Sequence, residues 1–446
     1  MPILRSIAAL VAFAFVAAAC SPDSADPATT PPPPVTPAPT TTTTTVQATP
    51  PPSTSTPPTT PAPTTTSTST STIPPLASIL LDGDLPEGLE PLVTDLYNWL
   101  ADRRHTGSGI PEGLRTHLAD VVTPMLPQRA VRAVIEEVRD GEEVAVIHVG
   151  NDLLFGVDDG SGWKIVGASV EDAALWLGDE PLFLFVIGSD ARPGQLQPRL
   201  RADSIHIIAL NPSANAGTIV GFPRDSYITQ ANIAAGNEFA GLDRSDLPSG
   251  SRKWTNLMSR RGPEIMLGVA KVLTDLPIDG YVLTGFLGFT DLLKAIGGIE
   301  ITLESRISAG AVKKAFPAGP QSLTANRTLV LARIRKTIKG GDFARSLNQG
   351  IIILATMAML QERGIDGLPM LLKTLIANTW TDLSTEDLLR FSVAGLVMDP
   401  DSLDNLVMPG RVSNINGASV VLLDEDELKR ISEDLADDGI LTAEED

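Results

Sequence analysis

Three apolar runs of strand length, set close together, place the strongest limit on what this chain can fold into. "PLFLFVIGSD", "DSIHIIALNP" and "GTIVGFPRD" lie between Pro181 and Asp225, each bounded by turn residues. Their near-continuous apolar character predicts strands covered on both faces. Helical segments follow: "GPEIMLGVAKVLTDL", then "TGFLGFTDLLKAIGG", which stops at Gly297-Gly298. "IEITLES" reads as a further strand, "TLVLARIRK" as strand or helix, and "ARSLNQGIIILATMAMLQER" as a long helix. Strands alternating with helices specify an α/β sandwich with both sheet faces covered. From about residue 366 to 446 the pattern continues helical and ends in a loop-rich acidic tail.

The region before these strands has three parts. Residues 1–20, "MPILRSIAALVAFAFVAAAC", carry a cation at Arg5, then apolar and small residues from Ile7 to Ala19. That run suits the apolar stretch of an export signal better than a spanning helix. Ala17-Ala18-Ala19 before Cys20 resembles a bacterial lipobox, in which the cysteine is acylated and holds the mature chain on a membrane. Residues 21–75 predict a disordered linker, because Pro27 to Thr72 contains no charge and no glycine and is almost wholly Pro, Thr, Ser and Ala. At roughly 3 Å per residue in extended form, it spans on the order of 100 Å. Residues 76–175 predict a small α+β accessory domain. "LPEGLEPLVTDLYNWLADRR" and "AVRAVIEEVRDG" read as helices, and "EEVAVIHVG", "DLLFGVDDG" and "GWKIVGASV" as strands.

The charges around the apolar runs point to chemistry. The chain has a formal net charge of −20, which argues against a nucleic-acid partner. Yet Asp190 with Arg192, Arg201 with Asp203, and Arg224 with Asp225 border the buried strands. Arg333 and Arg335 alternate with apolar neighbours and share a face if extended. Asp342, Arg345 and Gln349 follow in "KGGDFARSLNQ", the last two four apart on one helix face. Ligands of open α/β sheets bind where loops leave the strand ends. Several arginines gathered there demand an anion, and guanidinium forks match phosphate oxygens. Asp190 and Asp203 suit a Mg²⁺ that bridges phosphate oxygens. The chemistry implied is transfer at phosphorus.

The ordered set "FVIGSDARPG", "RADSIHIIALNP", "GFPRDSYI", "KWTNLM", "LPIDGYVLTGFLGFTDLLKAIGGIEI", "GPQSL", "ARIRK" and "GGDFARSLNQ" closely resembles the LytR-CpsA-Psr family of cell-envelope phosphotransferases. The resemblance covers about residues 180–365, with 366–446 as an extension of that core. It implies an α-β-α sandwich around a central mixed sheet. It also implies transfer of a glycopolymer phosphate from a polyprenyl-pyrophosphate carrier to peptidoglycan, on the outer side of the membrane. By the same resemblance, Asp190 and Asp203 match metal-associated acids. Arg201, Arg224, Arg333, Arg335 and Gln349 match pyrophosphate-binding positions, and Asp342 and Arg345 match a supporting motif. Arg345 is expected to join the pyrophosphate set. Asp203, Arg224, Asp225, Arg333 and Arg335 are the expected catalytic group, with Asp203 or Asp225 as candidate proton acceptor. Ala344 and Asn348 depart from the Gly and Arg that the family often has there.

Two features extend this reading. "GIIILATMAMLQ" with Phe286 and Phe289 is either plain core or one wall of an apolar slot for the polyprenyl chain. Among other chemistries, none of His105, His117, His148 and His206 has metal-ligand spacing. Ser189, His206 and Asp203 lack the nucleophile elbow of a serine hydrolase, and "GSDARPG" has no Gly-Lys-Ser/Thr of a Walker loop. A non-catalytic lipoprotein that binds polyprenyl lipid or wall glycan, and a polyprenyl-pyrophosphate pyrophosphatase, remain open alternatives.

Overall fold

The computed structural model describes residues 79–121, 128–170, 173–192, 195–243, 252–309 and 314–442. The expected signal segment, the Cys20 anchor and the Pro/Thr linker lie outside the described residues, as do the last four of the acidic tail.

The first sheet is built from β1 (Leu80–Asp82), β2 (Gln128–Arg139), β3 (Glu142–Val149), β4 (Asp152–Asp158) and β5 (Trp163–Ser169), adjacent in that order. Helices α1 (Leu89–Ala101) and α2 (Glu112–His117) precede β2. The segment expected as the helix "AVRAVIEEVRDG" is instead β2. Its apolar spacing fits either period, and pairing decides: Val131, Ala133 and Ile135 stand opposite Val149, Ile147 and Ala145. Strand β3 then sorts its side chains by parity. Ala145, Ile147 and Val149 join the cluster under α1 and α2, whereas Val144 and Val146 join the main core on the other face.

The second sheet contains the three opening runs as β6 (Leu182–Ser189), β7 (Ala202–Asn211) and β8 (Ala216–Gly221). Chain order continues with α3 (Gln230–Phe239), α4 (Thr255–Arg261), α5 (Pro263–Thr274), β9 (Gly280–Thr284) and α6 (Phe286–Ile296), then the pair β10 (Ile299–Leu303) and β11 (Gly319–Leu323). Next come α7 (Ala325–Leu331), α8 (Asp342–Gln361), α9 (Leu368–Asn378), β12 (Trp380–Thr381), α10 (Thr385–Val397) and β13 (Leu403–Val407). The hairpin β14 (Gly410–Ile415) and β15 (Ala418–Leu423) and helix α11 (Glu425–Asp438) complete the described chain. Sheet order is β12-β9-β6-β7-β8-β13, with both parallel and antiparallel pairs. This is the mixed sheet of an α-β-α sandwich. In β6, Leu182, Leu184 and Val186 face the layer of α6, α8, α9 and α10, while Phe183, Phe185 and Ile187 face α3, α4, α5 and α11. Each such side chain contributes about 1.5–3 kcal/mol by leaving water.

Local signals end the helices as the sequence requires. Gly297 adopts φ 85° after α6, a conformation that favours glycine. Ser384 caps α10 in a reciprocal box with Asp387. The acidic C-terminal stretch, expected to be loop-rich, is helical over α11. Asp424 caps it, and Leu428, Ile431 and Leu435 bury its apolar stripe. Residues 366–446 also supply β12 and β13, both edge strands of the central sheet.

Candidate functional site

Strand direction decides where the charges meet. β6, β9, β8 and β13 run parallel to one another, so their C-terminal ends share one edge, where antiparallel β7 begins. Asp190 follows β6, Arg201 and Asp203 stand at the start of β7, Arg224 and Asp225 follow β8, and Phe286 follows β9. The loop after β8 is pinned by its backbone. Thr255 N donates to Arg224 O (3.0 Å), Val421 N to Asp225 O (2.9 Å) and Ser226 N to Pro223 O (2.9 Å).

Carboxylates and cations alternate across this edge. Arg224 Nη1 is paired with Asp203 Oδ1, and Arg224 Nε lies 3.8 Å from Asp225 Oδ1. Asp225 Oδ2 is 3.1 Å from Lys253 Nζ and 3.6 Å from Arg335 Nη1. Arg335 reaches Asp342 Oδ1 at 4.0 Å, and Arg345 Nη2 lies 2.7 Å from the same oxygen. Four cations against three carboxylates leave one positive charge in this group. Three acids share the neutralisation here, one of them Asp342 on α8, so the cluster holds together without a ligand. Its open member is Arg335, whose side chain is 34% exposed.

The environments differ along the chain of charges. Burial disfavours the charge on Arg224, but Asp203, Asp225 and Asp342 outweigh it and raise its pKa. Burial dominates at Arg345, only 5% exposed, and lowers its pKa against the pull of Asp342. Gln349 is also buried, and its Nε2 donates to Ala332 O at 3.0 Å. These two side chains therefore hold the site from beneath: Arg345 braces Asp342, and Gln349 braces the turn that carries Arg333 and Arg335. That turn follows α7 and is not extended, so the two arginines diverge. Arg333 Cζ lies 5.5 Å from the centre of the Phe286 ring, while Arg335 joins the cluster.

Asp190 and Arg201 form a separate pair. Asp190 Oδ2 accepts from Arg201 Nε (3.0 Å) and Nη2 (2.7 Å), and Asp190 Oδ1 accepts from Arg201 N (3.0 Å). Phe286 N donates to Ala191 O at 3.3 Å, which brings Arg333 toward this pair. Lys253 is the cluster member that the sequence reading did not assign. It lies within "KWTNLM", directly before the buried Trp254, and that was its only signal.

Two chemistries can be weighed here. Among the described residues no three His, Cys, Asp or Glu side chains form a metal cage. A Mg²⁺ ligated mostly by phosphate and water needs only one or two carboxylates. Asp203 fits that demand, since Arg224 engages one of its oxygens; Asp190 has both oxygens committed to Arg201. A serine triad does not form. His206 is fully buried on β7, its Nε2 is 3.2 Å from Ser346 O and its Nδ1 is 3.1 Å from Ser204 Oγ. A carbonyl only accepts, so Nε2 carries the proton. Burial pushes the imidazole down to about 4, and it is neutral.

The sequence matches the LytR_cpsA_psr family over residues 165–437, well over half of the chain. The chain belongs to this family. It is similar to the polyisoprenyl-teichoic acid–peptidoglycan teichoic acid transferase TagU of Bacillus cereus (strain AH820), 28% identical over 170 residues, which are 38% of this chain and 50% of that protein. The TagU of Oceanobacillus iheyensis is 24% identical over 255 residues, 56% of this chain and 74% of that protein. The chain thus spans about half the length of the first of these LytR_cpsA_psr relatives. A crystal structure of B. subtilis TagV is 21% identical, with a TM-score of 0.45 over 60% of this chain and all of that one.

Proposed function

We propose that this chain is a phosphotransferase that moves a glycopolymer phosphate from a polyprenyl-pyrophosphate carrier to peptidoglycan. One observation carries the reading: the arrangement of Arg224, Lys253 and Arg335 around Asp225 at the strand ends, with Arg335 open to solvent. The names of the TagU relatives support the same reaction class.

In this reading the pyrophosphate lies between two groups of cations. Arg335, Lys253 and Arg224 hold one phosphate, and Arg201 and Arg333 hold the other. Arg345 and Gln349 act from below, keeping Asp342 and the Arg333–Arg335 turn in place. An acceptor hydroxyl gives up its proton to Asp203 or Asp225 and attacks the sugar-side phosphorus, the bond to the polyprenyl phosphate breaks, and charge accumulating on the phosphoryl oxygens meets guanidinium groups already in position. Asp203, with Asp190 if Arg201 releases it, would hold Mg²⁺; bound there, the ion would offset phosphate charge. The greasy tail takes the half-buried apolar stripe of α8, Ile351, Leu354, Ala355 and Met359. Other apolar side chains of α8, Ile352, Ile353, Met357 and Leu360, belong to the core. The chain works outside the cytoplasmic membrane, tethered through acylated Cys20.

The test is incubation of the full chain with a polyprenyl-pyrophosphate glycan, Mg²⁺ and peptidoglycan fragments. A glycan–peptidoglycan phosphodiester supports the reading. Free sugar phosphate makes the protein a pyrophosphatase, and bound but unchanged lipid makes it a carrier.

A further inference from the structure

Few large apolar side chains stand exposed among the described residues, and three of them border the site. Leu196 is 55%, Leu287 47% and Trp380 47% exposed. The backbone sets them along one rim. Trp380 pairs with Leu283, the penultimate residue of β9, at the sheet edge beside the site. A Cβ on Gly288 would lie 2.8 Å from Asn378 O, so the first turn of α6, which carries Leu287, packs beside the residues leading to Trp380. On its other side, a Cβ on Gly285 would lie 3.2 Å from Gln197 Cδ and 3.3 Å from Ala191 Cβ. Leu196 directly precedes Gln197. Phe286, in the same turn as Leu287, carries Arg333 over its ring.

The charge beside this rim is opposite to that of the whole protein. Arg192, Arg199 and Arg201 are exposed in the loop that carries Leu196, against one acid, Asp190. A chain of net charge −20 has concentrated cations around protruding apolar side chains at the mouth of its site. An indole with adjacent leucines and a collar of arginines matches the water–lipid boundary of an anionic bilayer. There the apolar groups enter the acyl region, and the guanidinium groups meet phosphates.

We infer that the rim of Leu196, Leu287 and Trp380, with Arg192, Arg199 and Arg201 around it, is a membrane-docking surface for anionic lipid. Docking sets the mouth of the site against the headgroups, where a polyprenyl carrier is delivered without crossing water. The inference rests on the phosphotransferase reading for its purpose but not for its test.

An environment-sensitive fluorophore on Leu196→Cys in the full acylated chain reports the rim. The same label on Ser213→Cys, in the turn between β7 and β8 at the far end of the sheet, is the control. Vesicles contain phosphatidylcholine with about a third phosphatidylglycerol. The expected result is a blue shift at position 196 alone, lost in pure phosphatidylcholine and in high salt. Arg192→Ser and Arg199→Ser each weaken the vesicle-dependent shift roughly fivefold at low salt, and Leu287→Ser with Trp380→Ser abolishes it. An unshifted label, equal shifts at both positions, or an equal shift on neutral vesicles overturns the inference. So does a shift that grows with protein concentration without vesicles, which assigns the rim to a second copy. A shift with no glycan transfer sinks the phosphotransferase reading and spares the rim; transfer with no shift does the reverse.

Discussion

Asp342→Asn tests the physical basis of the site most directly. The Arg345 side chain is 6% exposed, and its one close carboxylate is Asp342 at 2.7 Å. Arg224 and Arg335 oppose its charge, and only the more distant Asp203 helps. Neutralising Asp342 leaves a buried guanidinium without its counter-ion, a change that costs about 3–5 kcal/mol. The asparagine keeps a carbonyl toward Asp225 N, 3.5 Å from Asp342 Oδ2, so the loss isolates charge rather than shape. Replacing both partners, as in Asp342→Leu with Arg345→Met, removes the desolvation problem together with the attraction. It recovers most of the stability. Arg201→Ala is the control: its pair with Asp190 is an exposed one, and the expected change is at most about 1 kcal/mol. Urea unfolding followed by circular dichroism compares the four proteins. If Asp342→Asn is no more damaging than Arg201→Ala, Arg345 is not held as an ion pair in a dry environment, and its assignment beneath the site fails.

Other outcomes follow from the same geometry. Arg335→Ala should leave the unfolding midpoint within the range of ordinary surface changes and lower transfer by about 10²–10³-fold, measured as phosphodiester formed per minute. Lys253→Met should also slow transfer, with the unfolding midpoint measured alongside. His206 contributes stability that is complete above its unfolded value near 6.5 and is lost as pH falls toward about 4, because the unfolded chain takes up the proton first. The loss across that interval is about 3 kcal/mol, and the stability of His206→Asn should fall less steeply than that of wild type between those pH values. Gly268→Ala should destabilise by about 1–3 kcal/mol, because its Cβ would overlap Gly236 O and lie 3.0 Å from the Gly236 carbonyl carbon, forcing α3 from α5; thermal melting reads the effect.

Strongly apolar runs were legible because burial on both faces leaves one reading: β6, β7 and β8 emerged where the sequence placed them. So did α5 and α6, which carry a helical period with a Pro start or a Gly stop, and α8, whose apolar residues run long enough to leave only a helix. β2 was misread because Val131, Val134, Ile135 and Val138 recur at helical spacing while Val131, Ala133 and Ile135 alternate as in a strand, and only the partner strand β3 decides between them. α11 was hidden by its acidity, since three buried apolar residues carry the whole stripe. Within the site, single-residue chemistry was visible, but pairing was not. Nothing along the chain told that Asp342 would face Arg345 and Arg335 together, or that Lys253 would reach Asp225. Lys253 and Asp225 lie 28 residues apart and meet only because the loop after β8 is pinned beside α4; Arg335 meets Asp342 only because the turn after α7 is not extended.

Pairing also changes what the arginines can do. Unpaired guanidinium groups would repel one another and splay until a ligand arrived, so binding would have to order them. Here Asp203, Asp225 and Asp342 hold them in place beforehand, and the net excess is a single charge. An incoming phosphate must therefore compete with Asp225 for Lys253 and Arg335. A monophosphate gains little from that exchange. In the proposed reaction, a pyrophosphate that also engages Arg201 and Arg333 would gain on both sides of the site. The same competition would help release a product once the pyrophosphate is split, because Asp225 could reclaim its cations. On the proposed function, selectivity for two linked phosphates over one would follow from placing acids among the arginines, and it should shrink when Asp225 is made Asn.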